Sequence, residues 1–414
     1  MTAADVDVAV AGGGPVGAAL ALAIADSGLA VALLDPALGA APAPPHDDER
    51  STALAPASRR VLTALGVWEA IAPGAEAIRS IHVSEQGRFG RVGLREPARD
   101  GGPLGHVVPN RVLNGALHAA LRERSGTVDR VSAGVRQVVA EPEAARLLLD
   151  DGRVLRARLL VAADGARSRL RTALGIGTRD HDYGQTAVVA NVTPARGHQG
   201  QAFERFTPDG PLALLPLPAG RCAVVWAVAP ERAASLVACR EDAFLEALQA
   251  AFGYRLGRLT RGGVREAYPV RLTRARSRTA HRALLLGNAA TSLHPVAGQG
   301  FNLALRDVAD LAERLHGAGR SGADPGARAW LDGHVAARAG DHRRMAAFTS
   351  ALVVGFSNRL PGLSLARSAG LAALDMVPGA RGAFIGGVTA PLGRPPRLLR
   401  GLLPDGRAHG APED

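Results

Sequence analysis

The chain has 414 residues, 47% of them apolar and 4% aromatic, and its 49 basic and 38 acidic side chains give a formal net charge of +11. This length predicts two cooperating domains around a sizeable core, and the low aromatic content argues against a nucleic-acid surface of stacked rings. Every basic residue is arginine, which excludes chemistry through a Schiff-base lysine and a phosphate-binding loop with its lysine.

The first predicted elements form a βαβ unit. Residues 6–11 and 29–34 have the apolar runs of short strands, and residues 15–27 have helical spacing. The turn before the helix reads GGGPVG, a GxGxxG pattern, and an acid ends the second strand about 20 residues later. Free N–H groups at a helix N-terminus bind phosphate, and an acid at that place accepts hydrogen bonds from ribose. The pattern predicts a site for the ADP half of a dinucleotide, formed by Gly12, Gly14, Gly17 and Asp35.

Further along, residues 37–49 are rich in proline and acids and predict a surface loop, followed by one helix over 56–71 and another over 110–124. β-like runs then lead to DGARSRLR at 164–171. Its Asp-Gly pair follows an apolar strand, although such a pair is also typical of simple turns.

From about residue 180 to 275 the pattern changes to strands, AVVANV, QAFERF, LALLPL and CAVVWAV, with a helix at 241–252. This predicts an antiparallel sheet with one apolar face, inserted into the first domain. The chain then returns through ALLLGNAA to a helix predicted from about Gln299 to His316. Residues 324–392 have helical patterns interrupted by Gly and Pro, and the tail is expected to be loose.

A third glycine-rich stretch, GNAATSLHPVAGQGFN, occupies residues 287–302. Segments near residues 12, 164 and 287 thus each follow an apolar strand. A nicotinamide dehydrogenase would instead continue with a compact second half of the first type. The three-part spacing favours another dinucleotide.

Most of the chain, about 5 to 390, resembles the class A flavoprotein aromatic hydroxylases, and within them the ubiquinone-biosynthesis hydroxylases, nearest to the 2-polyprenyl-6-methoxyphenol hydroxylases. The resemblance is carried by GGGPVG, the Arg-Ser pair of DERSTALA, DGARSRLR, FERFTPDGPLALLPLPAGRCAVVW and GNAATSLHPVAGQGFNLALRD. It implies an α/β fold: a Rossmann-like FAD-binding domain of the para-hydroxybenzoate hydroxylase type, with an inserted, mostly antiparallel substrate sheet and C-terminal helices.

The implied domains are an FAD-binding domain over 1–179 and 276–330, with some substrate-domain strands near 79–108, a substrate domain over 180–275, a helical region over 331–393 and a loose tail over 394–414.

The resemblance implies FAD as cofactor. The residues it places at FAD are Gly12, Gly14, Gly17, Asp35, Arg50, Ser51, Arg111, Asp164, Gly165, Gly287, Asn288, Pro295, Gly298, Gln299, Gly300, Phe301 and Asn302. Solvated surface positions also explain Arg50 and Arg111. Most relatives have Gly-Asp where this chain has Gly287-Asn288, and the neutral amide is the pattern of the quinone branch.

The implied reaction hydroxylates the ring of a polyprenyl phenol. NAD(P)H, a transient co-substrate, reduces FAD, O₂ adds at C4a, and the hydroperoxide delivers one oxygen atom. No catalytic side chain is identified because the flavin carries the chemistry, and His294 before proline is more typical of scaffold than of a base. No metal is expected. An apolar pocket wall is expected from Phe203, Phe206, Leu214, Leu215, Pro216 and Trp226, although the core of a sheet predicts the same pattern.

The expected partners are the polyprenyl phenol and O₂, without nucleic acid, since the arginines are spread along the chain. No signal peptide or membrane-spanning run is expected, and two cysteines outside CxxC spacing fit a reduced cytoplasmic protein. Residues 349–377 fit peripheral contact with the inner face of the cytoplasmic membrane and equally a cover for the flavin domain.

Open alternatives are a flavin hydroxylase or reductase of another apolar aromatic or isoprenoid substrate, and a non-catalytic FAD-binding component of a biosynthetic complex. The sequence also leaves open a homo-oligomer and contacts with other ubiquinone-biosynthesis proteins.

Overall fold

The computed structural model describes residues 4–39, 50–88, 91–95, 102–294, 298–356 and 394–405. Its helices are α1 Pro15–Ile24, α2 Pro56–Ala64, α3 Trp68–Ile71, α4 Asn110–Glu123, α5 Arg169–Ala173, α6 Pro230–Ala238, α7 Glu241–Phe252, α8 Gln299–Ser321 and α9 Arg328–Phe356.

Its strands are β1 Val6–Ala11, β2 Val31–Leu34, β3 Ser51–Leu54, β4 Glu76–Ile78, β5 Ser80–Glu85, β6 Arg91–Arg95, β7 Gly105–Pro109, β8 Val128–Val131, β9 Val135–Ala140, β10 Ala145–Leu149, β11 Val154–Ala162, β12 Thr178–Pro194, β13 Gln201–Thr207, β14 Gly210–Pro216, β15 Cys222–Val228, β16 Leu259–Gly262, β17 Glu266–Ala275, β18 Thr279–Ala280, β19 Ala283–Leu285 and β20 Thr291–Ser292.

The first sheet is built around parallel strands in the order β19, β11, β1, β2 and β8. Alternate residues of β1 enter different cores: Val8 and Val10 pack with α1, α4 and α8, whereas Ala9 packs with β9 and β10 on the opposite face. Burial on both faces explains why these strands read as unbroken apolar runs.

The second sheet has the order β20, β17, β12, β15, β14, β13, β5, β6, and its pairs are antiparallel except β13 with β5. Helices α6 and α7 cover one face, which we call the outer face. The other, inner face meets a small sheet of β3, β7 and β4 through an apolar cluster containing Ala53, Val107, Leu215 and Ala223. The predicted fold class is confirmed.

A buried ion network joins α8 to α9. The Asp307 carboxylate accepts from Arg338 Nε at 2.7 Å and from Arg278 at 3.0 Å, and Asp341 accepts from Arg306 at 3.1 Å. Both acids are 1% exposed. Because charges buried this deeply are costly unless paired, the network holds α8 in one position against α9.

Two local predictions differ from the structure. The single helix expected over 56–71 is two helices, because the chain turns at Gly66 with a φ of +76°. Residues 394–405 of the expected loose tail are packed: Leu398 and Leu399 are buried, and Arg60 Nε donates to the Leu399 carbonyl at 2.8 Å. Apolar burial and this hydrogen bond hold the segment. Residues 406–414 lie outside the described ranges.

Among the described residues, no helix is long and apolar enough to cross a bilayer. The segment 349–377, which fits either membrane contact or a cover for the flavin domain, extends beyond the described residues after position 356.

Candidate functional site

Three glycine segments meet at one edge of the first sheet. Strands β19, β11 and β1 are parallel neighbours, so the residues that follow them lie side by side. A Cβ on Gly12 would be 2.5 Å from the Ala163 carbonyl oxygen, and one on Gly287 would be 3.2 Å from Val16 at the start of α1. The structure thus brings together the segments near residues 12, 164 and 287.

The glycines of the first turn have distinct roles. Gly12 has a φ of +117°, which disfavours any other residue, and a Cβ on Gly17 would lie 1.9 Å from the Gly12 oxygen. Gly14 is exposed, and a Cβ there would have no atom within 4 Å. The turn therefore leaves open space above the N-terminus of α1, as a pyrophosphate requires.

Asp35 is held in a fixed orientation beside this turn. Its Oδ2 accepts from the Gly13 N–H at 2.6 Å and its Oδ1 from the Ala37 N–H at 2.8 Å. Each carboxylate oxygen keeps a further lone pair, so the side chain can still accept a hydrogen bond from a ribose hydroxyl.

His118 supports the same turn and was missed by the sequence analysis. Its Nε2 lies 2.8 Å from the Gly13 carbonyl oxygen, to which it donates. Burial lowers the pKa of His118, opposed by this hydrogen bond, so the ring is neutral near pH 7. A lone histidine in the apolar face of α4 was the available signal.

Asp164 has a local role in the second segment. Its carboxylate accepts from Ser168 Oγ at 2.5 Å and from the Leu170 N–H at 3.0 Å, which caps the start of α5. Gly165 beside it has a φ of +85° and open space where a Cβ would lie. Arg171 then donates to the Ala289 carbonyl at 2.9 Å and ties this segment to the third.

In the third segment, Asn288 is exposed, and its Oδ1 would lie 4.0 Å from a Cβ on Gly300. Gly298 adopts the left-handed conformation at the N-terminus of α8, and a Cβ there would be 3.1 Å from the Ala53 Cβ. The first turn of α8, including Gln299, thus begins beside β3 and Asn288. Pro295 lies outside the described residues.

Asn302 is a structural residue. It is 2% exposed, and its Oδ1 accepts from the Ala55 N–H and Ser58 Oγ, while its Nδ2 donates to the carbonyls of Ala53 and Gly298. These four bonds use the whole capacity of the amide, so its side chain fastens α8 to β3 and leaves none for FAD. Phe301 packs against the apolar cluster that covers one face of the first sheet.

Arg50, Ser51 and Arg111 lie at one end of the small sheet, where β3 begins and β7 ends. The guanidinium carbon of Arg50 is 5.5 Å from the centre of the Tyr268 ring, which belongs to β17 of the second sheet. Ser51 pairs with Pro109, so it lies close to the exposed Arg111 at the start of α4. Arg50, which directly precedes β3, therefore connects the small sheet with β17 of the second sheet.

Most of the residues expected to form the pocket wall lie on the outer face of the second sheet. Phe203, Leu214 and Trp226 belong to the core under α6 and α7, and Pro216 shares their side of β14 by alternation. Leu215 and Phe206 fall on the inner face. Apolar alternation predicts two faces, but the helices decided which one is covered.

The inner face instead presents small apolar residues. Val189, Ala213, Leu215 and Val225 are partly accessible, whereas their sequence neighbours on the outer face are buried. The pairings Val189 with Val225 and Val225 with Ala213 make them contiguous. Since this face looks toward Ala53 and the start of α8, it forms the floor of a space between the second sheet and α8.

His294 lies at one end of this space. It is 1% exposed, its ring is edge-on to Tyr183 at 5.1 Å, and its Nε2 is 3.5 Å from Gln185 Oε1. Burial lowers the pKa of His294 to about 4, so it is neutral at pH 7 and a weak base.

The residues present fit FAD. The open space over Gly14, the oriented Asp35 and the exposed Asn288 lie along one edge, which ends at the N-terminus of α8. A helix N-terminus stabilises the negative charge of a reduced flavin ring.

Comparison with known proteins agrees with this geometry. Residues 5–331 match the FAD binding domain family. Ubiquinone hydroxylase UbiL of Rhodospirillum rubrum is 38% identical over 399 residues, covering 96% of this chain and 93% of that protein. The 3-demethoxyubiquinol 3-hydroxylase of Escherichia coli is 33% identical over 384 residues, covering 91% and 96%.

Among solved structures, p-nitrophenol 4-monooxygenase PnpA from Pseudomonas putida aligns with a TM-score of 0.75 and 20% identity, covering 92% of this chain and 98% of that one. PqsL of Pseudomonas aeruginosa, in complex with 2-aminobenzoylacetate, aligns with a TM-score of 0.73 and 23% identity, covering 89% and 99%. At these identities the likeness shows the fold.

Proposed function

The chain belongs to the FAD binding domain family and to its branch of ubiquinone hydroxylases, and on that premise we propose that it hydroxylates the aromatic ring of a polyprenyl phenol in ubiquinone biosynthesis. FAD is its cofactor, and NAD(P)H and O₂ are its co-substrates.

The observation that carries the substrate class is the inner face of the second sheet. Its accessible side chains are small and apolar over four adjacent positions: Val189, Val225, Ala213 and Leu215. A hydrophilic substrate would leave its polar groups unpaired against such a floor, whereas a prenylated ring buries apolar surface there. The start of α8 stands opposite, so ring and flavin would share one space.

The protein residues bind, orient and exclude water. Gly12, Gly14, Gly17 and Asp35 hold the ADP half, and the first turn of α8 with Asn288 meets the flavin half. FAD, when bound, would supply the redox chemistry with NAD(P)H and O₂. The apolar floor keeps water from the reacting atoms, which prevents wasteful side reactions. Asn288 contributes hydrogen bonding without negative charge.

Turnover with a short-tail polyprenyl phenol tests this function. Purified protein should show a bound flavin spectrum, oxidise NAD(P)H faster with the phenol, and form a hydroxylated product carrying oxygen from isotopically labelled O₂. An isoprenoid reductase would form a reduced product without labelled oxygen. Flavin binding without phenol-dependent NAD(P)H oxidation would instead support a non-catalytic component and contradict the proposal.

Peripheral contact with the membrane is part of the same proposal, since a polyprenyl tail resides in the bilayer. Its expected surface, residues 349–377, lies mostly beyond the described residues. Flotation with vesicles of bacterial phospholipid, before and after a salt wash, tests it.

A further inference from the structure

Glu204 stands on the inner face of the second sheet. Its two neighbours in β13 both contact α7 on the outer face: the Phe203 ring is 5.3 Å from the Phe252 ring, and Arg205 Nε donates to the Ala251 carbonyl at 2.9 Å. Because side chains alternate along a strand, Glu204 points the opposite way, toward the space between the second sheet and α8.

The surroundings of Glu204 are apolar. It pairs with Val83 of β5 and Ala213 of β14, and Ala213 is followed across the sheet by Val225 and Val189. The carboxyl group therefore stands at the edge of the apolar floor described above. Its side chain is partly accessible although protein surrounds it, as expected for a group that faces an internal space.

Within the described ranges, the carboxyl group of Glu204 makes no hydrogen bond or ion pair. Glu266, four strands away in the same row, shows the contrast, since it accepts from the Tyr268 hydroxyl at 2.6 Å. A carboxyl group left without a partner in an apolar setting is destabilising, and such groups are enriched where a ligand completes their bonding.

The other ionisable groups around this space do not pair with the carboxyl group of Glu204. Strand alternation places on the same side Glu85 of β5, Glu76 of β4, and Glu266 and Tyr268 of β17, with Arg50 against Tyr268. Strands β6, β14 and β15 contribute apolar residues, and the acids and bases of α9 near its contact with α8 are tied into the Asp307 network. Burial alone raises the pKa of Glu204 to about 7.

We propose that Glu204 is the residue that accepts the ring hydroxyl of the phenol, first as a hydrogen-bond acceptor and then as the base that takes its proton. This inference rests on the function proposed above. The phenolic O–H bond breaks, the proton forms an O–H bond on a Glu204 carboxylate oxygen, and the electron pair remains on the phenolic oxygen. Its charge spreads to the ring carbons, one of which forms a C–O bond to an oxygen atom from O₂ as the O–O bond breaks with electrons from NAD(P)H. That carbon loses its own proton as the ring regains aromaticity, and Glu204 returns its proton to the phenolic oxygen.

The neighbouring candidates are less suited to this step. Burial lowers the pKa of His294 to about 4, far below the pKa of a phenol near 10. The Tyr268 hydroxyl already donates a hydrogen bond to Glu266. A base is most effective when its pKa lies near the working pH, and Glu204 meets that condition.

The test compares Glu204→Gln, which keeps an acceptor but removes the base, with Glu204→Leu, which removes both. Glu246→Gln, on the exposed side of α7, is the matched control. With a short-tail polyprenyl phenol at pH 7, Glu204→Gln should lower kcat about 10²-fold or more with little change in KM, and Glu204→Leu should also raise KM. The control should match the wild type.

The pH profile separates a base from a structural residue. Wild-type kcat should rise through about pH 7 as Glu204 ionises, whereas kcat of Glu204→Gln should rise only as the phenol ionises by itself, toward a pH of about 10. Glu204→Asp, with a shorter carboxylate, should recover part of the rate and the wild-type shape. The methyl ether of the phenol should bind equally to wild type and Glu204→Gln, measured from the flavin absorbance change.

The outcomes are distinct. Glu204→Gln with wild-type kcat and pH profile overturns the role of Glu204 while leaving the hydroxylase function standing. Flavin-loaded wild-type protein that hydroxylates no polyprenyl phenol overturns both. Replacing an unpartnered carboxyl by an amide should leave the thermal midpoint of Glu204→Gln unchanged or higher. If Glu204→Gln instead fails to fold and Glu204→Asp is inactive, that result also counts against the proposal.

Discussion

Asp307 is the carboxylate on which the buried network between α8 and α9 depends. It is 1% exposed and is bonded by Arg278, Arg338 and His342 at 3.0, 2.7 and 2.8 Å. Asp307→Asn keeps the shape and removes the charge. Within the described residues Asp307 is the only ion-pair partner of Arg278, so the substitution leaves a nearly buried guanidinium without an anion.

Breaking a buried pair in this way costs about 3–5 kcal/mol. We expect the urea midpoint of FAD-loaded Asp307→Asn, followed by far-ultraviolet circular dichroism, to fall accordingly. Asp332→Asn is the control, because its 2.8 Å pair with Arg328 is exposed and should contribute at most about 1 kcal/mol. Equal, small decreases of the urea midpoint in Asp307→Asn and Asp332→Asn would refute the reasoning.

The same residue predicts a pH dependence. Burial alone would raise the pKa of Asp307, but the charges of Arg278 and His342 hold it well below its ordinary value. A lowered carboxyl pKa stabilises the fold above the unfolded pKa of about 4, and this contribution is lost as pH falls below that value. The difference in stability between wild type and Asp307→Asn should therefore be full at pH 7 and shrink below about pH 4.

Three further predictions concern the site. Gly17→Ala places a Cβ 1.9 Å from the Gly12 oxygen, so it should lower both stability and FAD content. Gly14→Ala, with open space around it, should fold normally and lose FAD affinity, measured by flavin release. Asn302→Ala removes four hydrogen bonds of a buried side chain and should lower the free energy of unfolding in urea by about 2–4 kcal/mol. A loss confined to FAD affinity would show that the residue serves the cofactor instead. The pKa of His294 is lowered to about 4, so protonation of the unfolded chain destabilises the fold progressively from about pH 6.5 down to 4, and His294→Asn should flatten that part of the stability profile.

Local patterns in the sequence were sufficient for the first βαβ unit and the glycine turn within it. The spacing of Gly12, Gly14 and Gly17 encodes a tight turn, an open approach and a close contact, which depend on backbone atoms only a few residues apart. The three glycine segments each follow an apolar strand in the sequence, and they meet in the fold because those strands are parallel neighbours that end at a common edge.

Other features depended on contacts between distant parts of the chain. Alternation in β13 to β15 establishes that Phe203 and Glu204 face opposite ways. Only the packing of α7, about 50 residues later, makes the phenylalanine side the closed core and leaves the glutamate side uncovered by this helix. Likewise, the sequence places Asn302 in a cofactor loop. In the structure its side-chain amide donates to the Ala53 carbonyl of β3, about 250 residues earlier in the chain. A periodic pattern determines which side chains share a face, and the tertiary structure decides what that face meets.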